Sequence, residues 1–370
     1  MEEMVKCRLK HSHGSVIFEG EVSEKLEYRF HQSRTLKQAI QQGVNLSHIN
    51  LHGSYLIMQK LVGVDLSYAT MNDAFLYKAV LDDADLTYTS LEDANLVQAS
   101  LKGAKLNNAF LTNADLSLAN LKNSDLRDAR LNCANLSFAK FDDADLRGVN
   151  FRAAEFRFTH FNRANLSGVS FLKLKMHHTD FRAANLTNTN FNLADLRNSQ
   201  LDDADLSNAA VRSLRLAGTS LKGAKLDGVN LRNADLVDIR SDFFEILLRI
   251  PHEIEPLRLA LIEGRIKGPD QGVYRGLFGI IRHMRGCSLE DLFDRNNELS
   301  QNKGLLEYTD DRPVEAWFAG IGEGDTPENN QISAITVEWI DEFLELCQKI
   351  QFVRGNWIFR LLTRFVSFFR

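Results

Sequence analysis

Large apolar residues recur at every fifth position from Leu46 to Leu236, through 39 consecutive units without an insertion. Leucine occupies most of these positions and phenylalanine occupies seven. A second column, two residues earlier, holds mostly Ala, Ser, Thr or Val, and the position between the columns is often Asp or Asn, as in Ala84, Asp85 and Leu86. A helix repeats near 3.6 residues and a strand at two, so a period of five fits neither. The pattern therefore predicts a solenoid of stacked turns.

The repeated unit, A(D/N)LXX, resembles that of the pentapeptide-repeat family over a little more than half of the chain. The resemblance implies a right-handed quadrilateral β-helix, in which one pentapeptide forms each side and four form a coil. Buried Leu and Phe contribute roughly 1.5–3 kcal/mol each, so such a core needs neither metal nor disulfide. Two sets of axial phenylalanines recur at twenty residues and support coils of that length: Phe141, Phe161 and Phe181, and Phe151, Phe171 and Phe191.

Residues 1–43 precede the repeat and predict a small α/β cap, with a β-hairpin turning at His13 and Gly14 followed by a short helix. Ser33 is the expected N-cap of that helix, and Gly43 is its expected stop. An open solenoid end exposes apolar side chains and unpaired backbone groups, so we expect this segment to cover the first coil.

The five-residue period ends after Leu236, and all five prolines come later in the chain. A ladder of paired coils has no room for a residue without an N–H, so we assign 44–240 to the β-helix. Apolar residues at helical spacing then predict a mostly helical C-terminal domain at 241–350. The expected fold class is mainly β, with the N-terminal cap at one end and an α-helical domain at the other.

Three motifs of the C-terminal domain resemble the tails of pentapeptide-repeat proteins encoded in phages and prophages, and the segment that opens at Gly14 is also similar. The motifs are PLRLALIEGRIKG from Pro256, WFAGIGEGDTPENN from Trp317 and AITVEWI from Ala334. Those relatives carry a cysteine-containing segment where this chain has YRGLFGII from Tyr274. The resemblance implies a phage-related setting and no established activity.

Composition and motifs exclude several classes of protein. The net charge of −5 is mild, and the four cysteines show no CxxC spacing, which indicates a reducing, cytoplasmic compartment. No signal-peptide core and no run of eighteen apolar residues is found, so we expect no transmembrane helix. The chain has no Walker loop, nucleophile elbow or zinc-protease motif. We therefore expect no enzyme, no catalytic residues, no cofactor and no metal.

Residues 44–236 carry 21 acidic and 21 basic residues, unevenly placed. Family members that mimic duplex DNA and bind DNA gyrase need a continuous acidic face, which this pattern lacks. The later coils are basic, which indicates either a mixed solvated surface or a binding site for an acidic partner. Base stacking is poorly supported, because only Phe138 and Phe158 are aromatics that point outward there. The candidate partner-binding residues are Arg147, Arg152, Arg157, Arg163, Lys173, Lys175 and Arg182.

Residues 351–370 predict a basic amphipathic helix, with a wide apolar arc opposite arginines and no acidic residue after Glu345. This pattern is typical of a helix that lies in a membrane interface. It is equally typical of a helix docked on the acidic domain before it or on a second subunit, and these alternatives stay open. The candidate membrane or dimer contacts are Trp357, Phe359, Leu361, Leu362, Phe365, Phe368 and Phe369.

These features favour a non-enzymatic binding or scaffold protein whose rigid β-helix surface engages a protein partner, in a phage- or prophage-related setting. Three alternatives stay open. They are a small enzyme in the C-terminal domain, a DNA mimic that modulates a topoisomerase, and a membrane-associated effector acting through the C-terminal helix. The sequence does not identify the partner.

Overall fold

The computed structural model describes residues 3–236, 254–263, 317, 321 and 325–351. The chain falls into two compact units. The first contains Met1–Asp195, Ala204–Ala210 and Lys225–Val229, and the second contains Leu196–Asp203, Val211–Ala224 and the described residues from Asn230 onward.

The N-terminal segment opens with a two-stranded antiparallel sheet of β1, Met4–Lys10, and β2, Val16–Ser23. The connection turns at Gly14, whose φ of 94° lies in the left-handed region that favours glycine. The Gly14 N–H donates to the carbonyl of His11 at 2.9 Å, which closes the turn.

The helix that follows the hairpin, α1, spans His31–Gln41 and is preceded directly by the 3-10 turn Tyr28–Phe30. Phe30 is the N-cap, and no side chain caps the helix. The prediction of Ser33 as N-cap is therefore wrong, because the 3-10 turn already supplies helical backbone and the helix begins earlier. Ser33 is buried in the first turn, and its Oγ donates to the Phe30 carbonyl at 2.9 Å. Gly43, with φ of 68°, follows the end of the helix.

Parallel bridges between residues twenty apart define the β-helix. In the first unit they run from Asn50 with Thr70 to Asp205 with Lys225, and in the second they include Gln200 with Ser220. The predicted coil length of twenty residues, with four five-residue sides, is confirmed. The axial residues at positions ending in 1 or 6 are buried almost throughout, as are the small residues two positions earlier.

The two predicted phenylalanine ladders lie inside the coils. Rings one coil apart stack with centroid separations of 5.1 Å for Phe141 and Phe161 and 5.0 Å for Phe171 and Phe191. Rings of the two ladders also meet edge to face, as Phe171 and Phe181 do at 5.8 Å. Such contacts add roughly 0.5–1.5 kcal/mol to the burial of each ring.

Each corner of a coil is a β-turn with one left-handed residue. The amide of Ala84, for example, donates to the carbonyl of Leu81 at 3.1 Å. The third residue of the turn, at positions ending in 3 or 8, has positive φ in twenty-nine non-glycine residues of the described chain, from His48 to Ser213. Left-handed backbone costs a residue with a Cβ roughly 1–2 kcal/mol, and Asn and Asp tolerate it best.

The Asp or Asn that precedes an axial residue fixes the entry to the corner. Its Oδ1 accepts a hydrogen bond from the backbone N–H two residues later, as Asp65 does from Ser67 at 2.9 Å and Asn185 from Thr187 at 3.1 Å. This local bond is an Asx turn, which short polar side chains form and apolar side chains cannot. It explains why the repeat contains A(D/N)L.

The second unit contains α2, Ile254–Ile262, and α3, Gln331–Gln351. Leu231 contacts α3, because its backbone N–H donates a hydrogen bond to the side-chain Oε1 of Gln331 at 3.2 Å. Arg232 forms an ion pair with Glu338 of the same helix. Near the start of α3, the indole Nε1 of the buried Trp317 donates to Thr336 at 3.0 Å.

Several expectations for the C-terminal half lie wholly or mainly outside the described residues. The amphipathic segment 351–370 is one of them, and only its first residue falls within α3. The assignment of 241–350 as one mostly helical domain stays a prediction.

Candidate functional site

Residues twenty apart stack in columns along one side of the coil, so the position within the twenty-residue period decides which side a residue occupies. One stretch of a left-handed turn column, four coils long, carries apolar and aromatic side chains, whereas Lys78, Gln98 and Asn198 of the same column are polar. We call it the outer aromatic column, and it consists of Leu118, Phe138, Phe158 and His178.

The rings of the outer aromatic column stack face to face on the outside of the coil. The centroids of Phe138 and Phe158 are 5.2 Å apart, and those of Phe158 and His178 are 4.8 Å apart, with 11° between the planes in both pairs. Phe138 is 45% exposed and Phe158 is 38% exposed. The stack therefore presents ring edges to solvent.

Two features of this column work against folding stability. The φ angles of Phe138 and Phe158 are 60° and 53°, in a region that is unfavourable for bulky side chains. Their rings also expose apolar surface that glycine, asparagine or aspartate would not. Every corner of the coil shares this backbone conformation, so the exposed aromatic surface is what distinguishes the column, and exposed apolar patches concentrate at functional sites. The outer aromatic column is therefore the candidate site.

Two of the predicted basic residues lie on the same side of the coil as the outer aromatic column. Arg157 immediately precedes Phe158, and Lys175 is the strand residue that leads to His178 on this side. Both residues are exposed. Neither forms an ion pair with a carboxylate in the described part of the chain. On this side, the coil that contains Phe158 also carries one acidic residue, Glu155.

The other five predicted residues are not brought together with them. Arg152 and Lys173 lie on the preceding side of the coil, where no described carboxylate pairs with them. The remaining three are engaged at 2.6 Å by aspartates: Arg147 by Asp145, Arg163 by Asp143 and Arg182 by Asp180. The seven residues thus occupy all four sides, and their role in binding a partner stays a prediction.

These ion pairs shift the carboxyl pKa values. The Arg147 guanidinium, which donates to both carboxyl oxygens, holds the pKa of Asp145 below its usual value. Hydrogen bonds from Arg163 lower the pKa of Asp143 in the same way. For Asp180, burial raises the pKa, but hydrogen bonds from the Arg182 side chain and backbone outweigh it and the net shift is downward.

Acidic residues on other sides are neutralised by cations one coil away. Lys105 Nζ lies 3.6 Å from Asp85, and Lys122 Nζ lies 2.6 Å from the buried Asp142. Cations therefore interrupt the acidic columns, as Lys105 does between Asp85 and Asp125. A mimic of duplex DNA needs a continuous row of uncompensated acids, so these contacts do not favour that function.

A second exposed aromatic column was missed by sequence reasoning. His48, Tyr68 and Tyr88 stack at left-handed turn positions on another side, with centroid separations of 4.8 and 5.1 Å. The spacing of twenty residues, applied to the outward positions as it was to the axial ones, would have found it. The residues that flank this column on the strand are Asp65 and Asp85 rather than cations.

Other site predictions concern regions or groups that are only partly described. All seven candidate membrane or dimer contacts, from Trp357 to Phe369, lie outside the described residues. In the part of the chain that the structure describes, no helix has the length and apolar character needed to cross a bilayer. Across the same residues, no three His, Cys, Asp or Glu side chains cluster as metal ligands would.

Two models of known families match the repeat. The model of pentapeptide repeats in eight copies matches residues 60–96, 94–132 and 129–168, and the model of the pentapeptide repeat region matches residues 154–231. No curated protein matches the chain.

Solved structures of similar proteins include HetL, a pentapeptide repeat protein involved in heterocyst differentiation regulation from the cyanobacterium Nostoc. It is 32% identical, with 55% of this chain and 94% of HetL covered and a TM-score of 0.32. Another is full-length QnrB1, a plasmid-mediated fluoroquinolone resistance protein. It is 18% identical, with 50% of this chain and 88% of QnrB1 covered and a TM-score of 0.19.

The chain belongs to the pentapeptide-repeat family, as the family models and its identity with HetL over most of that protein's length show. Membership in this family implies that the β-helix is right-handed.

Proposed function

We propose that this protein is a non-enzymatic scaffold that binds an acidic protein surface through the outer aromatic column. The observation that carries the proposal is the exposed stack of Phe138, Phe158 and His178, with Arg157 and Lys175 on the same side and no ion pair to either within the described residues. Aromatic and arginine side chains dominate the energetics of protein interfaces. The two cations beside the column would favour an acidic partner.

A protein partner suits this geometry better than a nucleic acid. Bases bind aromatic side chains by stacking on a free ring face. In the outer aromatic column the facing surfaces of Phe138 and Phe158 are already covered by each other, and the next face is covered by His178. What remains at the surface is a row of ring edges, which packs against apolar side chains of a protein.

Binding also suits the site better than catalysis. The column lies on an open row of turns, and an open surface does not exclude water as most active sites must. The imidazole of His178 is engaged in ring stacking, and the neighbouring His177 lies 3.0 Å from the carboxylate of Asp195.

Further parts of the proposal rest on the sequence alone. The mild charge and cysteine pattern support a cytoplasmic location, and the motifs from Pro256 and Trp317 support a phage- or prophage-related setting. The amphipathic segment 351–370 supports an additional contact, either with a second copy of the chain or with a membrane surface. An enzyme within 241–350 has no support from the described residues.

Affinity capture from the native host tests the proposal with one double variant and one matched control, neither of which changes the net charge. Phe138→Asn with Phe158→Asn removes the rings and places asparagine where the repeat often has it, as at Asn108 and Asn123. We expect this double variant to lose a protein that the wild type retains. Leu193→Asn is the matched control, because Leu193 is 50% exposed at the same turn position on another side. Equal retention by all three proteins would overturn the proposal.

Charge reversal tests whether binding depends on the side of the coil that carries the outer aromatic column or on the basic stretch as a whole. Arg157→Glu with Lys175→Glu changes the candidate side, whereas Arg152→Glu with Lys173→Glu makes the same change of net charge on the preceding side. We expect only the first pair to lose the partner. Loss from both pairs would show that net charge rather than the outer aromatic column holds the partner.

A further inference from the structure

A groove runs between α1 and the first coil, within the first unit and three coils before the outer aromatic column begins at Leu118. Its cavity has a volume of about 600 Å³. Ligand pockets for small molecules occupy about 300–1,000 Å³. We propose that this groove binds a small amphipathic organic anion, with an apolar body and a carboxylate, sulfonate or phosphate group.

One stripe of α1 and the 3-10 turn before it form the first wall of the groove. Phe30, Arg34, Lys37 and Ile40 line it, and their spacing of three or four residues places them on one face of a helix. Phe30 and Ile40 are half-buried, so they offer apolar surface to a ligand without being filled by the protein's own core.

Contacts of Gln32 and Phe30 fix the position of α1 against the coil. Gln32 Nε2 donates to the carbonyl of Asn50 at 2.9 Å, and Gln32 Oε1 accepts from the hydroxyl of the buried Ser54 at 2.7 Å. The Phe30 ring meets that of Tyr55 edge to face at 6.2 Å. The groove is therefore bounded by fixed elements.

The second wall comes from Met58, Gln59 and Lys60, where the first coil departs from the repeat. Gln59 stands in the column that otherwise holds small or apolar residues, and it is half-buried where Ala69 and Ala79 are fully buried. A long polar side chain at this place does not complete the apolar core. It presents an amide to the groove, which suits a ligand with a polar group.

The charge of the lining residues is entirely positive. Arg34, Lys37 and Lys60 are exposed at the rim, and none of the residues lining the groove is acidic. No described carboxylate forms an ion pair with any of the three. Apolar walls below a ring of three cations match a molecule with an apolar body and an anionic head.

Fluorescence titration of the full chain with anilinonaphthalene sulfonate, an amphipathic anion, tests this inference. We expect saturable binding at one site, and displacement by decanoate but not by decylamine, which has the same chain length and a positive charge. Arg34→Glu with Lys37→Glu should weaken binding by about tenfold or more, because two attractions become repulsions. Lys140→Glu is the control, since Lys140 occupies the same position of the coil as Lys60.

A variant on the coil wall tests the same groove without changing α1. Met58→Asp puts a carboxylate at the rim on the coil wall, at a turn position where the repeat already uses aspartate, as at Asp73. We expect the same loss of binding from Met58→Asp and no loss from Leu193→Asp. Undiminished binding to the rim variants, or equal displacement by decylamine, would overturn the inference.

Discussion

Phe158 stacks on Phe138 outside the coil at a centroid separation of 5.2 Å, and three residues further along each repeat Phe161 stacks on Phe141 inside it at 5.1 Å. The coil sets both distances, because residues twenty apart lie one strand spacing apart. The two ladders differ in their backbone conformation, which is left-handed at the outer positions, and in their surroundings. The inner rings are fully buried, whereas the outer rings face solvent at turn positions where the repeat often has Asn or Asp.

This difference predicts unequal effects of truncation. Phe161→Ala should lower the free energy of unfolding by about 3–5 kcal/mol, because it leaves a cavity in the core. Phe158→Ala should lower it by about 1–2 kcal/mol, because the exposed ring contributes little beyond its stacking contacts with Phe138 and His178. Chemical denaturation followed by circular dichroism measures both. Similar losses for the two variants would contradict the assignment of inner and outer columns.

The left-handed corners predict opposite effects for one substitution at adjacent positions. Ala153 has φ of 59°, whereas Ala154 is buried in the small column. Ala153→Gly should raise the free energy of unfolding by up to about 1 kcal/mol, since relief of the left-handed strain exceeds the entropy cost of glycine. Ala154→Gly should lower it by about 1 kcal/mol, because it removes buried surface. Changes of the same sign would show that the turn register is wrong.

The aspartate–arginine pairs predict that the protein loses stability in acid. Hydrogen bonds from arginine hold the pKa of Asp125 and Asp145 below the ordinary value. A lowered folded-state pKa contributes stability above the unfolded pKa of about 3.9, and that stability is lost as pH falls through the folded value. Thermal denaturation between about pH 6 and pH 3 should therefore show a falling midpoint.

Asp145→Asn removes one titrating group from this set and should flatten the acid limb. Salt at about 0.5 M should flatten it for the wild type as well, because these pairs are partly exposed and therefore screened. An Asp145→Asn protein with the same acid dependence as the wild type would contradict the role given to the pair.

Much of the fold follows from the sequence, because burial along the axis repeats with a fixed short period. Leu46 to Leu236 give the register, and the spacing of Phe141 and Phe161 gives the coil length. The left-handed corners do not follow from residue type, since residues as unlike as Phe158 and Ala153 occupy them. The regular coil imposes that conformation on whatever side chain falls there.

The candidate site follows from the sequence only in part. Arg147 and Arg182 lie in one basic stretch of the chain, yet the coil places them on different sides and neighbouring aspartates neutralise them. Proximity in a solenoid is set by the twenty-residue period and not by sequence distance. The groove beside α1 depends on how a non-repeating helix packs on the first coil, which no period encodes, although Gln59 marks the place.

Site-specific photo-crosslinking in the native host tests the central claim most directly. A benzoylphenylalanine replaces Phe158 with little change of shape, and the same residue at Leu193 provides the matched position on another side. The proposed function predicts a discrete protein adduct from position 158 that is absent from position 193 and lost when Arg157 and Lys175 are changed to Glu. No adduct from position 158, or the same adducts from both positions, would contradict it.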